Sequence, residues 1–384
     1  MDVPAKGSFK NTEELIAAEQ PDYPSFLFSE QELRRCAQTF KDGIEGIVTY
    51  AVKANPSPHV ISILGDEGLP ALDVASPNEI ELARKYAPKA DLHYNNPIRS
   101  RREIAAAFEK HGVKSFSIDN LAQLEQIAAI IPPSSDVEIT IRFKAIKSRK
   151  AYDFGSKFGA SEQGAIDIAS MAKAMGYATS LCFHVGSQCE EVYTFERHIK
   201  SAARIAKKAG IELKRLNVGG GFPAPYPSSV APPLDYYFDT IRRSVNEHFK
   251  GSKPTLIVEP GRAMVTSSTS LLLRVKHQRN DVRVYLNDGA YGSLMEVKFM
   301  PILPATRVWR EGVLIEEPTK PCKLFGPTCD SYDVLPQFFE LPESLQEDDW
   351  IEFALMGAYT QASVTDFNGF SRRDQYFVDE VYTG

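Results

Sequence analysis

The sequence lacks the features that define several specialised classes of protein. No apolar run approaches the ~18 residues of a membrane-spanning helix. The N-terminal segment MDVPAKGSFKNTEELIAAEQ carries acids where a secretory signal peptide has an apolar stretch. The 44 Lys and Arg are outnumbered by 50 Asp and Glu, and the net charge of -6 argues against nucleic acid as a main partner. We therefore expect neither a membrane nor a nucleic acid as partner, and we expect a cytoplasmic location.

Cysteine is also scarce, and its spacing is unlike that of cysteine-based scaffolds. The five cysteines are odd in number and include no CxxC pair. Disulfide frameworks and zinc sites depend on paired, closely spaced cysteines, so we expect neither disulfides nor a bound metal. What remains is the composition of a soluble globular protein, with 43% hydrophobic and 24% charged residues. At 384 residues, the chain fits one large domain or two.

Short apolar runs recur over the first two thirds of the chain, separated by segments with helical periodicity. Apolar runs of this length, bounded by turn residues, are typical of strands buried on both faces of a parallel sheet. They are GIVTYAV (46–52), ALDVA (71–75), DLHY (91–94), SFSI (115–118), VEITIRF (137–143), LCFHV (181–185), ELKRLNV (212–218) and TLIVE (255–259). Eight β-then-α units predict a TIM barrel, a parallel α/β fold. An open doubly wound sheet would account for six of them more easily than for eight.

Polar residues, glycines and prolines follow these predicted strands directly. They include Lys53, Asp73, Asn95, Asp119, Arg142, His184, Gly219 and Glu259, each near the end of a different strand. In a parallel barrel, all the carboxyl ends of the strands open on one face, where barrel active sites lie. The sequence therefore predicts a single active site built from these side chains.

After about residue 265, the runs become short, alternating or aromatic, as in VRVYLND and WIEFAL. Such runs, with Pro and Gly between them, predict an antiparallel β-sandwich or β-barrel domain. The early segment SFLF (25–28) precedes the barrel and could add a strand to it. We therefore predict a TIM-barrel domain over 29–264 and a β domain made of 1–28 and 265–384.

Lys53 is the first of these residues with a distinctive chemistry. It follows a buried strand in YAVKANP. Burial disfavours the ammonium form and lowers the pKa of a lysine, and a neutral amine can form a Schiff base with an aldehyde. The alternative is a lysine that reaches solvent from the strand end.

Two neighbouring segments suit a phosphate-bearing cofactor. In NVGGGFP, Gly219, Gly220 and Gly221 could let backbone N–H groups converge on a phosphate, although a tight turn would need the same glycines. In EPGR, Arg262 could hold a phosphate by paired hydrogen bonds, and Glu259 could keep a pyridine nitrogen protonated. A structural salt bridge is the alternative for EPGR.

Three further segments carry reactive or aromatic residues. His184 closes the run LCFHVGSQ, where a core histidine is the alternative to a catalytic one. Cys329 and Asp330 adjoin in GPTCDSYD, where a plain turn is the alternative. Tyr359 and Phe367 lie in the similar turns MGAYT and DFNGF.

In their order along the chain, these segments resemble the ornithine/diaminopimelate/arginine decarboxylase family, the barrel enzymes of fold type III that depend on pyridoxal 5′-phosphate (PLP). The segments are YAVKANP, DVASPNEI, NNP, KFG, FHVGSQ, NVGGGFP, EPGR, NDGAYGS, FGPTCDSYD, MGAYT and FNGF, from about residue 50 to 370. GPTCDS and MGAYT are closest to ornithine decarboxylases. The resemblance implies a PLP-dependent decarboxylase that acts as a homodimer with shared active sites.

The resemblance also implies roles for individual residues. Lys53 would form the Schiff base with PLP, His184 would stack on the ring, and Glu259 would pair with the pyridine nitrogen. The other cofactor-binding residues would be Asp73, supporting His184, and Arg142, Ser187, Gly219, Gly220, Gly221, Gly261, Arg262 and Tyr359. Cys329 would donate a proton to the substrate carbon and Asp330 would contact the distal amine of the substrate, both from the other subunit. Phe367 would lie near the substrate and the domain interface.

The sequence departs from the family at the segment after NDGAYGS. Ornithine decarboxylases carry there an Asp that holds the distal amine, and this chain has Met300 at that position. If the segment is a strand, Glu296 and Lys298 share the face of Met300. Glu296 could then replace the missing acid, or Lys298 could meet a substrate anion.

The segment before KFG is unusually basic. It carries Lys144, Lys147, Arg149, Lys150 and Lys157 against one acid, Asp153. A solvated surface loop is the alternative to a role in substrate binding. We predict decarboxylation of a basic L-amino acid, of the ornithine, lysine or arginine type. The alternatives are a larger or carboxylate-bearing substrate in a specialised biosynthetic pathway, and a non-catalytic homologue like the antizyme inhibitors.

Overall fold

A computed structural model of the chain describes residues 5–144, 157–300 and 302–384. These residues form two compact units. The barrel unit contains Ala37–Pro223 and Val230–Gly261. The sheet unit contains Met1–Cys36, Ala224–Ser229 and Arg262–Gly384. Among the described residues, no helix is both long enough and apolar enough to cross a membrane.

The barrel unit is a closed ring of eight parallel strands, which confirms the predicted fold. The chain reaches it through β1 (Ala5–Phe9), α1 (Thr12–Glu19), β2 (Ser25–Phe28) and α2 (Glu30–Gly43). The barrel strands are β3 (Ile47–Ala51), β4 (Ala71–Val74), β5 (Asp91–Tyr94), β6 (Ser115–Ile118), β7 (Glu138–Arg142), β8 (Ala178–Cys182), β9 (Arg215–Asn217) and β10 (Thr255–Val258). The ring closes where Ile257 of β10 pairs with Ile47 of β3. Almost every residue of these strands is buried, as their continuous apolar sequences predicted.

Helices follow the strands, and short sequence signals define their ends. They are α3 (Pro58–Asp66), α4 (Pro77–Tyr86), α5 (Arg101–Glu109), α6 (Leu121–Ala128), α7 (Glu162–Met175), α8 (Tyr193–Ala209) and α9 (Leu234–His248). The hydroxyl of Ser76 accepts from the Glu79 N–H at the start of α4. Ser100 and Glu103 form a reciprocal capping box at α5. Gly176 ends α7 in the left-handed conformation, with φ of 97°.

The prediction for the sixth strand was wrong in its position. The apolar run LCFHV was expected to be the strand, but β8 is Ala178–Cys182 and ends before His184. The run continues because Phe183 and Val185 are buried in the turn beyond the strand. The chain then changes direction at Gly186, which has φ of 104°. His184 therefore lies on a loop and not within a strand.

The sheet unit contains a ten-stranded sheet, the helix α1, the start of α2 and two further short helices. After β1 and β2, its elements are α10 (Arg262–Val265), β11 (Thr269–Arg279), β12 (Arg283–Leu286), α11 (Met295–Phe299), β13 (Thr306–Arg310), β14 (Val313–Leu314), β15 (Thr319–Phe325), β16 (Val334–Pro342), β17 (Trp350–Phe353) and β18 (Asp374–Val378). Its core includes Phe26, Leu271, Val308, Ile351 and Phe353. The segment SFLF, predicted as a possible strand of this domain, forms β2, which pairs with β11.

The sheet is mixed and not purely antiparallel as expected. Antiparallel pairs join β11 to β2, β12 and β17, and β15 to β16. Three pairs are parallel, namely β1 with β18, β18 with β2, and β12 with β15. The C-terminal strand β18 lies between β1 and β2 at the other end of the chain. Alternation of residues within a run does not show which strands pair, so these parallel neighbours were not predictable.

One buried acid organises the centre of this sheet. Glu352 of β17 is fully buried. Its Oε1 accepts hydrogen bonds from Thr12 (2.8 Å) and Ser270 (2.7 Å). Its Oε2 accepts from Arg307 Nε (2.8 Å) and Trp309 Nε1 (3.0 Å). Four donors on two oxygens satisfy the carboxylate, which would otherwise be costly to bury.

Candidate active site

The carboxyl ends of the barrel strands surround a cavity of about 220 Å³. Six residues that the sequence predicted for the site line it, namely Lys53, Asp73, Asn95, Arg142, His184 and Glu259. The other lining residues are Ala75, Asn96, Pro97, Ser117, Lys157, Phe158, Cys182 and Phe183. Lys53 and Glu259 are more than 200 residues apart in the sequence, and they line the same cavity. This arrangement agrees with the prediction that the strand-end residues meet at one face of the barrel.

Lys53 lies in a single 3₁₀ turn, Val52–Ala54, directly after β3. Its Nζ is 4.0 Å from Oδ2 of Asp73. The side chain of Lys53 is 44% exposed, so the expected desolvation is only partial. Asp73 is buried, and burial raises its pKa while Lys53, Asn95 and Arg142 act in the opposite direction. The amine thus faces an acid inside the cavity.

Glu259 follows β10 and is held by two amides. Its Oε1 accepts hydrogen bonds from Asn95 Nδ2 and Asn217 Nδ2. Burial, reinforced by the nearby Asp73, raises the pKa of Glu259 to about 8. Asn217, Lys53 and Arg142 oppose this rise in pKa. An acid with such a raised pKa suits a cationic partner, because the positive charge would favour the carboxylate form of Glu259.

The two amides are themselves oriented by hydrogen bonds. Oδ1 of Asn95 accepts from the Ser117 hydroxyl at 2.6 Å. Oδ1 of Asn217 accepts from the backbone N–H of Gly219 at 2.8 Å. Because each Oδ1 is used in this way, each Nδ2 points to Glu259. Sequence reasoning missed Asn217, although a polar residue at the end of an apolar strand, the first residue of NVGGGFP, was a usable signal.

The glycine turn after β9 lies directly against His184 and Glu259. A Cβ on Gly220 would be 2.6 Å from the carbonyl oxygen of Glu259 and 3.3 Å from Nε2 of His184. A Cβ on Gly221 would clash with the carbonyl oxygen of Gly186, and the φ of Gly221 is 91°. Only glycine fits at these two positions. Any side chain would clash with neighbouring backbone, and the positive φ of Gly221 is strained for other residues.

His184 is oriented by its own loop. Its Nδ1 accepts from the backbone N–H of Gly186 at 3.0 Å, which leaves the proton of a neutral ring on Nε2. Ser187 follows in the same turn and is not among the residues that line the cavity. On the neighbouring strand β7, the guanidinium of Arg142 lies 5.3 Å from the centroid of the Phe158 ring.

In the sheet unit, Arg262 begins α10 and is buried. It donates to the Tyr226 hydroxyl at 3.2 Å and to Oε1 of Glu296. The ring centroid of Tyr359 lies 5.0 Å from the guanidinium carbon. Tyr359 has φ of 61°, a left-handed conformation that is strained for a tyrosine. Gly261, which precedes Arg262, is also buried.

A second cluster of the sheet unit brings together the predicted substrate residues. The Tyr291 hydroxyl donates to Oδ2 of Asp330 at 2.5 Å, and the ring of Phe367 lies 4.7 Å from that of Tyr291. The backbone N–H of Cys329 donates to Oδ1 of Asn368 at 3.1 Å. Cys329 is exposed, whereas the other four cysteines of the chain are buried. Sequence reasoning missed Tyr291 and Asn368, which lie within the motifs NDGAYGS and FNGF.

The expectation of an alternating strand at 296–300 was wrong. The segment is the helix α11, so Glu296 and Met300, four residues apart, share a face and Lys298 does not. Met300 is buried, and its N–H donates to the carbonyl of Glu296 at 2.9 Å. Lys298 Nζ donates to the carbonyl oxygens of Tyr332 and Val334. Glu296 therefore shares a face with Met300, as the strand hypothesis expected, whereas Lys298 does not.

The basic segment is described only at its edges. Lys144 is exposed, and Lys157 lines the cavity with its Nζ 4.9 Å from the Phe158 ring centroid. Lys147, Arg149, Lys150 and Asp153 lie outside the described residues. The hypothesis that this segment affects substrate choice stays a prediction.

A closed (β/α)₈ barrel with a lysine, buried acids and a glycine turn at one mouth defines a class of barrel enzymes that hold an aldehyde cofactor. Residues 30–266 match the family described as pyridoxal-dependent decarboxylase, pyridoxal binding domain. A probable ornithine decarboxylase from Dictyostelium discoideum is 34% identical over 358 residues, covering 86% of this chain and 74% of that protein. Decarboxylase flvG from Aspergillus flavus is 30% identical over 342 residues, covering 84% and 77%. A crystal structure of lysine/ornithine decarboxylase from Vibrio vulnificus, complexed with cadaverine, has a TM-score of 0.81 at 28% identity, with 94% of each chain covered.

The chain belongs to the family of PLP-dependent decarboxylases that act on basic amino acids. It is an amino-acid decarboxylase, and its cofactor is PLP. The cavity fits that cofactor, because PLP needs an amine for its aldehyde, an acid for its ring nitrogen and an anion-binding turn for its phosphate. The barrel unit offers the amine of Lys53, the raised-pKa acid of Glu259 and the turn at Gly219–Gly221.

Proposed function

We propose that the enzyme decarboxylates ornithine, lysine or arginine to the corresponding amine and CO2, with PLP held by Lys53. The observation that carries the proposal is the placement of Lys53 in one cavity with the buried Asp73 and the half-buried Glu259. PLP supplies an electron sink for the electron pair left when the carboxylate departs as CO2. The protein residues bind, orient and protonate.

In the barrel unit, Glu259 would keep the ring nitrogen protonated, since its half-buried carboxylate would gain a cationic partner there. The two amides of Asn95 and Asn217 fix the carboxylate. His184 covers the ring, and its fixed Nδ1 supports that role. Asp73 faces the amine of Lys53. Arg142, which lines the same cavity, would lie near the ring substituents.

We assign the phosphate to the backbone of the glycine turn and Ser187, with Gly261, Arg262 and Tyr359. The support for Arg262 is its buried guanidinium, whose planar set of N–H donors can form paired hydrogen bonds to a phosphate. The strained φ of Tyr359 is the kind of cost that persists at binding sites. These assignments rest on the motif resemblance and on the local geometry of each group.

Proton delivery and substrate recognition fall to the cluster around Cys329. An exposed thiol beside a carboxylate suits transfer of a proton to the substrate carbon. Asp330, oriented by Tyr291, would bind the distal amine, and Phe367 would lie beside the substrate. In the resemblance, this cluster serves the active site of the other subunit, so the proposal includes a homodimer.

The proposed choice of a basic substrate is supported by the relatives, which are named as ornithine and lysine/ornithine decarboxylases. One observation favours a second candidate, a larger or carboxylate-bearing amino acid. Met300 offers no charge at a buried position, and Glu296 on the same helical face is bound to Arg262. A distal ammonium left with one acid instead of two would bind less tightly, by about 1–3 kcal/mol.

Two measurements test this proposal. Borohydride reduction of the holoenzyme, followed by peptide mass spectrometry, should place the cofactor on Lys53; attachment to another lysine would overturn the assignment. A screen of amine and CO2 release over ornithine, lysine, arginine, diaminopimelate and carboxylated polyamines should then identify the substrate. Robust turnover of ornithine or lysine would eliminate the second candidate, and turnover of only a carboxylated polyamine would eliminate the first.

The shared active site has its own test. Lys53→Ala and Cys329→Ala enzymes are each expected to be inactive, and mixing them under subunit exchange should restore activity to about one quarter. That fraction follows because half of the dimers are mixed and each mixed dimer has one intact site. Independent sites within single chains would restore nothing.

A further inference from the structure

The guanidinium of Arg262 is occupied from several sides within the sheet unit. Only 4% of its side chain is exposed. One terminal nitrogen donates to Glu296 Oε1, and the other donates to the Tyr226 hydroxyl at 3.2 Å. The Tyr359 ring lies 5.0 Å from the guanidinium carbon. Glu296 supplies the negative charge of this group, and Tyr226 contributes a neutral acceptor.

We propose that Glu296 competes with the cofactor phosphate for Arg262, so that its carboxylate weakens the binding of PLP. This inference rests on the proposed function, in which Arg262 binds the phosphate. A phosphate monoester carries a charge of about −1.5 to −2 near neutral pH. Adding it to an arginine that is already paired with a carboxylate would leave a buried group with net negative charge, which is unfavourable. One of the two anions must therefore give way.

The surroundings of Glu296 favour its displacement over that of Arg262. The side chain of Glu296 is 16% exposed, four times the exposed fraction of the Arg262 side chain. Its backbone is held in α11, because the N–H of Met300 donates to its carbonyl. A change of side-chain rotamer is thus sufficient to release the guanidinium without moving the helix. Among the described residues, the carboxylate of Glu296 accepts only from Arg262, so it gains solvation when it turns outward.

The test is equilibrium dialysis of the holoenzyme against graded PLP, with bound cofactor per chain as the readout. Removing the charge with Glu296→Gln should lower the Kd for PLP about tenfold, equivalent to about 1.4 kcal/mol. Pyridoxal, which has no phosphate, provides the second arm. Its Kd should differ by less than about twofold between the same two proteins. Glu296→Asp keeps the negative charge and should retain most of the competition, and Glu340→Gln controls for the loss of an exposed charge elsewhere in the sheet unit.

The outcomes separate this inference from the function on which it rests. Weaker PLP binding by Glu296→Gln would show that Glu296 positions Arg262 and would overturn the competition. An equal change for PLP and pyridoxal would also overturn it, because altered packing would explain both. If Glu296→Gln does not fold, Glu296→Met tests the same loss of charge. An unchanged Kd for PLP in Arg262→Ala would instead refute the proposed phosphate role of Arg262. Weakened binding there, together with an unchanged Kd in Glu296→Gln, would refute only the competition.

Discussion

The protonation of Glu259 gives a prediction that can be worked out from the structure. Burial and the neighbouring Asp73 raise its pKa from 4.5 to about 8. An acid whose pKa is raised by folding binds its proton more tightly in the folded state, so it lowers stability as pH rises. The loss begins near pH 4.5, where the unfolded chain ionises, and is complete above about pH 8. A difference of about 3.5 pH units, at about 1.36 kcal/mol each, sets a ceiling of about 5 kcal/mol.

Glu259→Gln removes this ionisation while keeping the size and one acceptor oxygen of the side chain. For protein stripped of PLP, we expect the free energy of unfolding of the wild type to fall between pH 5 and 8. The variant should show a flatter profile, with the difference growing by about 1 kcal/mol per pH unit. Glu79, whose pKa burial raises to about 7, adds a slope of the same sign that both proteins share.

The assay must follow the barrel unit. Both tryptophans of the chain, Trp309 and Trp350, belong to the sheet unit, so tryptophan fluorescence would report on the wrong part. Far-ultraviolet circular dichroism follows α3 to α9, which surround the barrel, in a denaturant titration at each pH. Below pH 6.5, the buried His93, whose pKa burial lowers to about 3, makes both proteins lose stability as pH falls. Parallel profiles of wild type and variant between pH 6.5 and 8 would refute the raised pKa of Glu259.

Three further predictions concern the sheet unit. Iodoacetamide should modify Cys329 before the four buried cysteines and abolish amine release, and Cys329→Ala should lower kcat by about 10²-fold or more; full activity after stoichiometric labelling of Cys329 would contradict its role. Tyr291→Phe removes the hydrogen bond that lowers the pKa of Asp330, so KM for the basic amino acid should rise about two- to tenfold with little change in kcat; a selective fall in kcat would assign Tyr291 to the chemical step instead. Glu352→Gln places an amide NH2 group where an oxygen accepted from two of the four donors. It should lower the free energy of unfolding of the sheet unit by about 3–5 kcal/mol in a denaturant titration followed by tryptophan fluorescence. A loss below about 1 kcal/mol would show that the network contributes little.

The barrel was predictable because strands buried on both faces need continuous apolar sequences, and turns at their ends need polar residues or glycine. The same logic failed at LCFHV, where the apolar run passes beyond the strand into a buried turn. It failed again at 296–300, because five residues contain too little periodicity to separate a strand from one helical turn. In the sheet unit, β18 pairs with β1 and β2 across almost the whole chain length, and no local pattern reports such a pairing.

The site shows the same division between local and non-local information. Lys53, Glu259 and His184 were predictable because each follows a recognisable strand. Asn217 also ends a strand, but its role depends on the Nδ2 that it presents to Glu259, forty-two residues away, and no local pattern shows that contact. Tyr226 and Glu296 contact Arg262 from segments 36 and 34 residues away, so only the folded chain associates them.

The helix α11 connects two functions that the sequence treats separately. Glu296 near its start binds Arg262, and Lys298 binds the carbonyl oxygens of Tyr332 and Val334, at the end of the loop that carries Cys329. In the proposed dimer, Arg262 serves the cofactor of one active site, while Cys329 serves the other. A substitution in α11 is therefore expected to change the Kd for PLP and the KM for substrate together. Because substrate turnover alone would confuse the two effects, the specificity of α11 variants has to be compared at saturating PLP.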